Sequence, residues 1–236
     1  VSTPDLHLRT SLVLDEEGRI VSTREPEATR GPLFTLVRSA TSCAWAVRSD
    51  VPSQITKELD RMAHDEPPAA DLRAPPVHAY RYLLALAGRT AFGPTTVSKT
   101  QQSDGPAFEF PDGLVATEEL SLVEDEEQLQ HHFRGWVKGE IAGGRAPVVA
   151  IVADGYPVSI CFCARRSAEA AEAGLDTAEG YRGRGYGPRV TALWATAIRR
   201  SGLVPLYSTS WTNQASLAVA RKLGLVAYAS SWGLSD

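Results

Sequence analysis

The sequence predicts an α/β fold built on a mixed, mostly antiparallel sheet, and three observations predict it. Strand and helix patterns follow the order β, α, β, β, β, α, β, α, β over about the last 120 residues, not the regular alternation of a doubly wound sheet. Two apolar runs meet at Asp154-Gly155, a strong hairpin signal. Between a short extended run and an amphipathic helix lies a loop with three glycines, Gly183, Gly185 and Gly187.

Composition bounds the function classes. At 236 residues the chain fits one large or two small domains. Hydrophobic content of 43% and charged content of 22% are those of a globular protein. A net charge of −4 argues against nucleic acid as the main partner. No apolar run approaches the roughly 20 residues a membrane span requires, and the first ten residues lack a signal-peptide pattern, so a cytoplasmic protein without a membrane partner is expected. Cys43, Cys161 and Cys163 make no disulfide framework; Cys161 and Cys163 alternate in an apolar run, read as small buried hydrophobes, and no metal is expected.

In chain order, residues 8–14 and 19–23 flank Asp15-Glu16-Glu17-Gly18 and read as a hairpin. Two more strands are expected at 33–38 and 42–48. Asp50-Val51-Pro52-Ser53 opens a helix to about Ala63, with Ile55, Leu59 and Met62 at helical spacing, and Glu66-Pro67-Pro68 stops it. A helix over 77–87 carries a Tyr80, Leu83, Leu84 and Ala87 stripe expected to face the core; 88–113 reads as a linker or lid. A strand at 114–123 and a helix at 125–141 follow, with Leu129, Phe133, Trp136, Val137 and Ile141 recurring. Strands at 147–153 and 157–164 form the Asp154-Gly155 hairpin, and 170–177 leads into the glycine loop. The next helix, 187–201, presents Val190, Leu193, Trp194, Ala197 and Ile198 on one face. A strand at 204–211, a helix at 213–223 and a strand at 225–232 complete the chain. The expected division is a mixed α/β domain over 1–113 and a second domain over 114–236.

The glycine loop is an anion cradle. A P-loop is excluded, because no Gly-Lys-Ser/Thr follows and the loop has no lysine. A dinucleotide fingerprint requires a different glycine spacing, in the first βαβ unit of its domain. Tyr181-Arg182-Gly183-Arg184-Gly185-Tyr186-Gly187 resembles the acetyl-CoA signature Arg/Gln-x-x-Gly-x-Gly/Ala of the GNAT N-acetyltransferases, matched at Arg182, Gly185 and Gly187. Asn213-Gln214-Ala215-Ser216 and Arg221-Lys222-Leu223-Gly224-Leu225 are similar to that family's Asn-x-x-Ala and Lys-Leu-Gly-Phe elements, so the resemblance covers about 114–236.

The resemblance implies a GNAT-like sheet splayed between its fourth and fifth strands, here 173–177 facing 207–211, with acetyl-CoA as cosubstrate. Backbone amides of Gly183, Arg184, Gly185, Tyr186 and Gly187 would take the pyrophosphate without a metal. Arg182 and Arg184 either add charge or are solvated. Leu175 and Thr177 would bond the pantetheine arm as if it were an added strand. Asn213 is both a good N-cap and a residue the family uses near the coenzyme arm, with Ser216 beside it. The implied activity is direct acetyl transfer, in a ternary complex, to a primary amine of a small molecule or peptide by a monomer or homodimer; a non-catalytic acyl-CoA sensor is the competing class.

Catalytic groups are harder to read. Glu172 is the first choice for the base, although it is one residue out of step with the glutamate of histone-type members and, without a bulge, faces the wrong side. Asp176, Glu118 and Glu119 are alternatives; His131 and His132 are expected to be solvent-exposed. Many family members carry a proton-donating Tyr where this chain has Ala220, which leaves Tyr207 as the candidate acid, ahead of Ser210 and Tyr228. Residues 1–113 carry no chemical motif, and the expectation is that they cover the cleft and select the acceptor.

Overall fold

The structure, a computed structural model, describes residues 2–87, 101–114, 116 and 121–236. It opens with a helix where a strand was expected. The Thr3 hydroxyl accepts from the Leu6 amide at 3.1 Å, Pro4 occupies the first turn and Asp5 adds a carboxylate there, so α1 (Pro4–Ser11) forms and only the residues after it are extended. β1 (Leu12–Leu14) and β2 (Ile20–Thr23) make the expected hairpin in shortened form.

β3 (Phe34–Ser39), β4 (Cys43–Val47) and α2 (Ser53–His64) follow the sequence reading, with Leu59 and Met62 buried. In α3 (Ala79–Ala87) the buried side chains are Tyr82 and Leu86, whereas Tyr80 and Leu84 of the expected stripe are 71% and 53% exposed. The cause is polar. The buried Glu66 carboxylate accepts from the Tyr82 hydroxyl at 3.1 Å and from the His78 ring and amide, which turns the Tyr82 side of the helix inward.

The stretch expected as a linker or lid contains β5 (Gln101–Glu109), a strand in the middle of the sheet; the rest of it, 88–100, lies outside the described residues. Most of the strand expected at 114–123 is also outside them, and of its end Leu122 bridges Val149. The helix expected over 125–141 is only α4 (Glu126–Gln130). The Glu126 carboxylate accepts the amides of Gly139 and Ile141, folding the chain back on itself in place of a continued helix.

β6 (Val149–Ala153), β7 (Tyr156–Arg166), β8 (Ala170–Thr177), α5 (Tyr186–Arg200), β9 (Val204–Ser208), α6 (Gln214–Lys222) and β10 (Val226–Ser235) match their expected order, β9 ending three residues early. Strands β3 to β10 form one sheet in the order β4-β3-β10-β5-β9-β8-β7-β6, in which, among the described residues, only β8 and β9 are parallel. The mixed α/β, mostly antiparallel architecture is therefore as expected. β3, β4 and β5, from before residue 113, pair within the same sheet as the strands after it.

Residue alternation assigns the faces. Leu36, Trp232, Phe108 and Tyr207 point to the face covered by α2, α3, α5 and α6; Val37, Ala107, Ala229 and Leu206 point to the face covered by α1. Trp194, Val190 and Ile198 of α5 are fully buried against β7 and β8, alongside Cys161 and Cys163. Burial pushes both thiols up, Cys163 to about 11, so they stay protonated core residues. Among the described residues, no helix is long and apolar enough to cross a membrane and no cluster of three metal-ligating side chains occurs.

One close approach fixes where β9 ends. A Cβ on Gly105 would lie 1.8 Å from the Thr209 carbonyl oxygen, so β5 and the 209–210 backbone touch because residue 105 has no side chain. Gly105→Ala should destabilise by about 1–3 kcal/mol, as overpacking does, and lower Tm by several degrees in a thermal scan; an unchanged Tm would contradict this contact.

Candidate active site

β8 and β9 pair at Ala170–Val204, Ala171–Pro205 and Glu172–Leu206 and then part. β8 stays with β7 up to Thr177–Ser159, whereas β9 stays with β5 through Ser208–Ala107. The two parallel strands therefore splay from Ala173 and Tyr207 onward, as expected.

A cleft of about 590 Å³ opens at this splay on the α5–α6 face. One end is the glycine loop. Gly183 and Gly185 have φ of +76° and +80°, a left-handed backbone open to glycine at little cost, and no side chain caps the α5 amides. Those amides and the helix dipole suit an anion. Arg182 lines the cleft with its Nε donating to the Thr177 carbonyl at 3.0 Å, beside Leu175, Thr177, Tyr186 and Gly187. Arg184 is not brought in. Its guanidinium donates to the Gly180 carbonyl and lies 5.0 Å over the Tyr181 ring, outside the lining.

The opposite wall comes from α6. The Asn213 side chain accepts from the Ser216 amide at 3.1 Å, so it is the N-cap, and both residues line the cleft. Ala215, Val219 and Lys222 extend this wall at helical spacing, a periodicity visible in the sequence that the glycine loop overshadowed. Ala220 points instead into the core, 1% exposed. Tyr181, Tyr186 and Tyr207 all line the cleft; Tyr207 is the one on β9 at the splay, and its hydroxyl is 2.6 Å from Ser216 Oγ. Burial raises its pKa, so it remains a proton donor at neutral pH.

Glu172 faces the other side of the sheet. The register shift beside it lies in β7, between Cys163 and Arg165, so β8 keeps its alternation and Glu172 points toward α1. Its carboxylate is 3% exposed, pairs with Arg165 at 3.0 Å and accepts from the Ser208 hydroxyl. Burial pushes its pKa up, but the Arg165 charge and the polar neighbours outweigh it and hold the carboxyl below the ordinary value. Asp176 borders the cleft, exposed. Glu118 and Glu119 lie outside the described residues. His131 is exposed and stacks on Tyr156 at 3.8 Å, His132 meets the edge of Tyr181, and neither lines the cleft. Tyr228 is on the α1 face, its hydroxyl buried without a partner.

A second pocket, of about 290 Å³, lies on that α1 face. His7, Ser11 and Arg165 line it, and Ser208 and Thr209 line both it and the cleft. His7 precedes the strand expected at 8–14 and belongs to no expected element; the signal that places it is the Thr3-Pro4-Asp5 helix start.

Replacing Gly185 by Val should abolish binding of a pyrophosphate-bearing probe measured by calorimetry, since the branched side chain is strained at φ +80° beside the uncapped amides; unchanged binding by the variant would contradict the cradle.

Residues 119–229 match the family described as GNAT acetyltransferase. No curated protein matches the sequence. Similar solved structures include one assigned to the GNAT family from Novosphingobium aromaticivorans (17% identity, 57% of this chain and 66% of that one, TM-score 0.48). Another is an acetyltransferase from the GNAT family of Colwellia psychrerythraea (15%, 58% and 57%, 0.44). A third is a GCN5-related N-acetyltransferase-like protein from Streptococcus suis (17%, 86% and 84%, 0.46). The chain thus spans just under two thirds of the first structure's length and less of the second's. The segment 119–229, which holds the glycine loop, both walls of the cleft and the Asn213 helix, is similar to the GNAT acetyltransferases.

Proposed function

We propose that the protein transfers an acetyl group from acetyl-CoA to a primary amine by direct transfer in a ternary complex. The observation that carries this is the splay: one end of the cleft is an uncapped glycine turn, and its inner end reaches Tyr207 and Ser208, where β8 and β9 come apart. The Gly183–Gly187 turn binds the pyrophosphate through its amides, with Arg182 and Lys222 supplying positive charge. The β8 edge at Leu175 and Thr177 takes the pantetheine amides. The thioester then lies at the inner end, and amine and carbonyl are held together by the site, which replaces much of the entropy cost of a bimolecular encounter.

Tyr207 donates the proton that the departing thiolate needs, in place of the tyrosine that Ala220 lacks. Glu172, paired with Arg165 and bonded to Ser208, holds the inner wall in position and keeps a negative charge beside the acceptor side. Residues before 113 supply α1, β3 and β5 around the second pocket and so select the acceptor. An acyl-CoA-binding sensor on the same fold is the alternative, favoured by Ala220.

Acetyl transfer from acetyl-CoA over a panel of primary amines, followed as thiol release, separates the two readings. Turnover with at least one amine is expected, and Tyr207→Phe should lower kcat by about 10²-fold with little change in acetyl-CoA affinity. Coenzyme binding without turnover on any amine would establish the sensor, and full kcat in the variant would remove Tyr207 from the chemistry.

A further inference from the structure

The pocket on the α1 face has features that the acetyl-CoA cleft does not use. It shares Ser208 and Thr209 with the cleft, at the place where the strands part. Its wall is hydroxyl-rich: Ser11, Ser103, Ser208, Ser210, Ser231 and Ser235 line it. Arg165 and Asp104 are the fully charged residues of its lining, and Arg165 is paired behind the wall with two carboxylates, Glu172 at 3.0 Å and Glu25 at 2.6 Å, which leaves the surround net negative. At about 290 Å³ it is at the lower end of small-ligand sites. His7 stands in this wall, 4% exposed, with Nδ1 buried and lacking a partner.

We infer that this pocket binds a small, hydroxylated, cationic amine, an amino sugar or amino alcohol in class, and that His7 takes the proton the ammonium group must lose. The inference rests on the acetyl-transfer reading above. Hydroxyls that donate and accept suit a polyhydroxylated ligand, and a site built to hydrogen-bond a substrate rejects analogues that leave its polar groups unpaired. The negative surround draws the amine in as its cation. A cationic amine is not a nucleophile, so a base within the pocket is required.

His7 is the neutral base in the wall. Burial lowers its pKa below 6.5, the nearby Glu172 opposing and Arg165 reinforcing this, so the imidazole is uncharged at neutral pH and free to accept. Glu172 of β8 and Arg165 of β7 are paired with each other, and Tyr228 of β10 lies 6.5 Å away ring to ring, with its hydroxyl pushed up by burial. Asp104 of β5 borders the pocket on the strand face opposite Ser103 and Gly105. β3 and β4 turn the apolar Val37, Ala44 and Ala46 toward α1, and their arginines Arg38 and Arg48 are engaged elsewhere, with the Ala74 carbonyl and with Asp50 and Asp236.

The step balances. The ammonium passes one proton to His7; the neutral nitrogen attacks the thioester carbonyl, forming the C–N bond; the C–S bond breaks with its electron pair on sulfur; and the second nitrogen proton ends on the thiolate through Tyr207. His7 returns its proton to water.

The test measures kcat/KM against pH for the full chain and for His7→Gln with acetyl-CoA and glucosamine, ethanolamine, hexylamine or a lysine-free tripeptide. Glucosamine or ethanolamine should exceed hexylamine and the tripeptide by about tenfold or more. His7→Gln should lose about 10²-fold at about pH 7 and recover most of it at about pH 9.5, where free amine forms without a base. Acetyl-CoA affinity should be unchanged, which a purely structural loss would not preserve. Should the variant not fold, the wild-type profile decides: its acidic limb must include an ionisation below 6.5. Preference for hexylamine or the tripeptide, a pH-independent deficit, or a wild-type profile without that limb overturns the inference and leaves acetyl transfer standing. Failure to acetylate any amine overturns both.

Discussion

The structure depends on the parting of two parallel strands. Among the described residues β8 and β9 are the only parallel neighbours in the sheet, and they share just three residue pairs before each follows its antiparallel partner, β7 on one side and β5 on the other. Backbone edges exposed by such a break need partners. A ligand arm with its own amides would supply them on one edge, and Gly105, pressed against the Thr209 carbonyl, holds the other edge against β5. The split is tied at its base by the Glu172 carboxylate, which spans β7 through Arg165 and β9 through Ser208. Removing Arg165 would leave the buried Glu172 carboxylate uncompensated, which is costly.

Because the break passes through the sheet, it joins two chemically different faces. On the α5–α6 side are uncapped amides and cations, suited to a polyanion; on the α1 side are hydroxyls, a neutral imidazole and a net negative surround, suited to a cation. Ser208 and Thr209 lie at the junction. Donor and acceptor would thus approach from opposite sides with charges that keep each out of the other's site.

The glycine-loop cleft was legible in the sequence because its parts are local. Gly183, Gly185, Arg182 and the Asn213 cap lie in short stretches whose backbone demands can be read from residue type alone, and the Asp154-Gly155 turn and the α5 stripe are equally local. The pocket on the α1 face was not, because it is assembled from α1, β5, β7, β9 and β10 across the whole chain. Tertiary contacts also overrode local pattern elsewhere: Glu66 turned α3 toward Tyr82, and Glu126 folded back on Gly139 and Ile141 where a helix was periodic. β5, with Gly105 and Pro106 in a polar run, has poor strand propensity and owes its conformation to β10 and β9 on either side.

The most direct measurement of the central claim is amide hydrogen exchange with and without coenzyme A. An arm laid into the splay predicts slowed exchange at 174–177 of β8 and at 183–187 of the glycine loop, with the β3–β4 edge unchanged. Coenzyme binding that leaves both segments exchanging as before would contradict it.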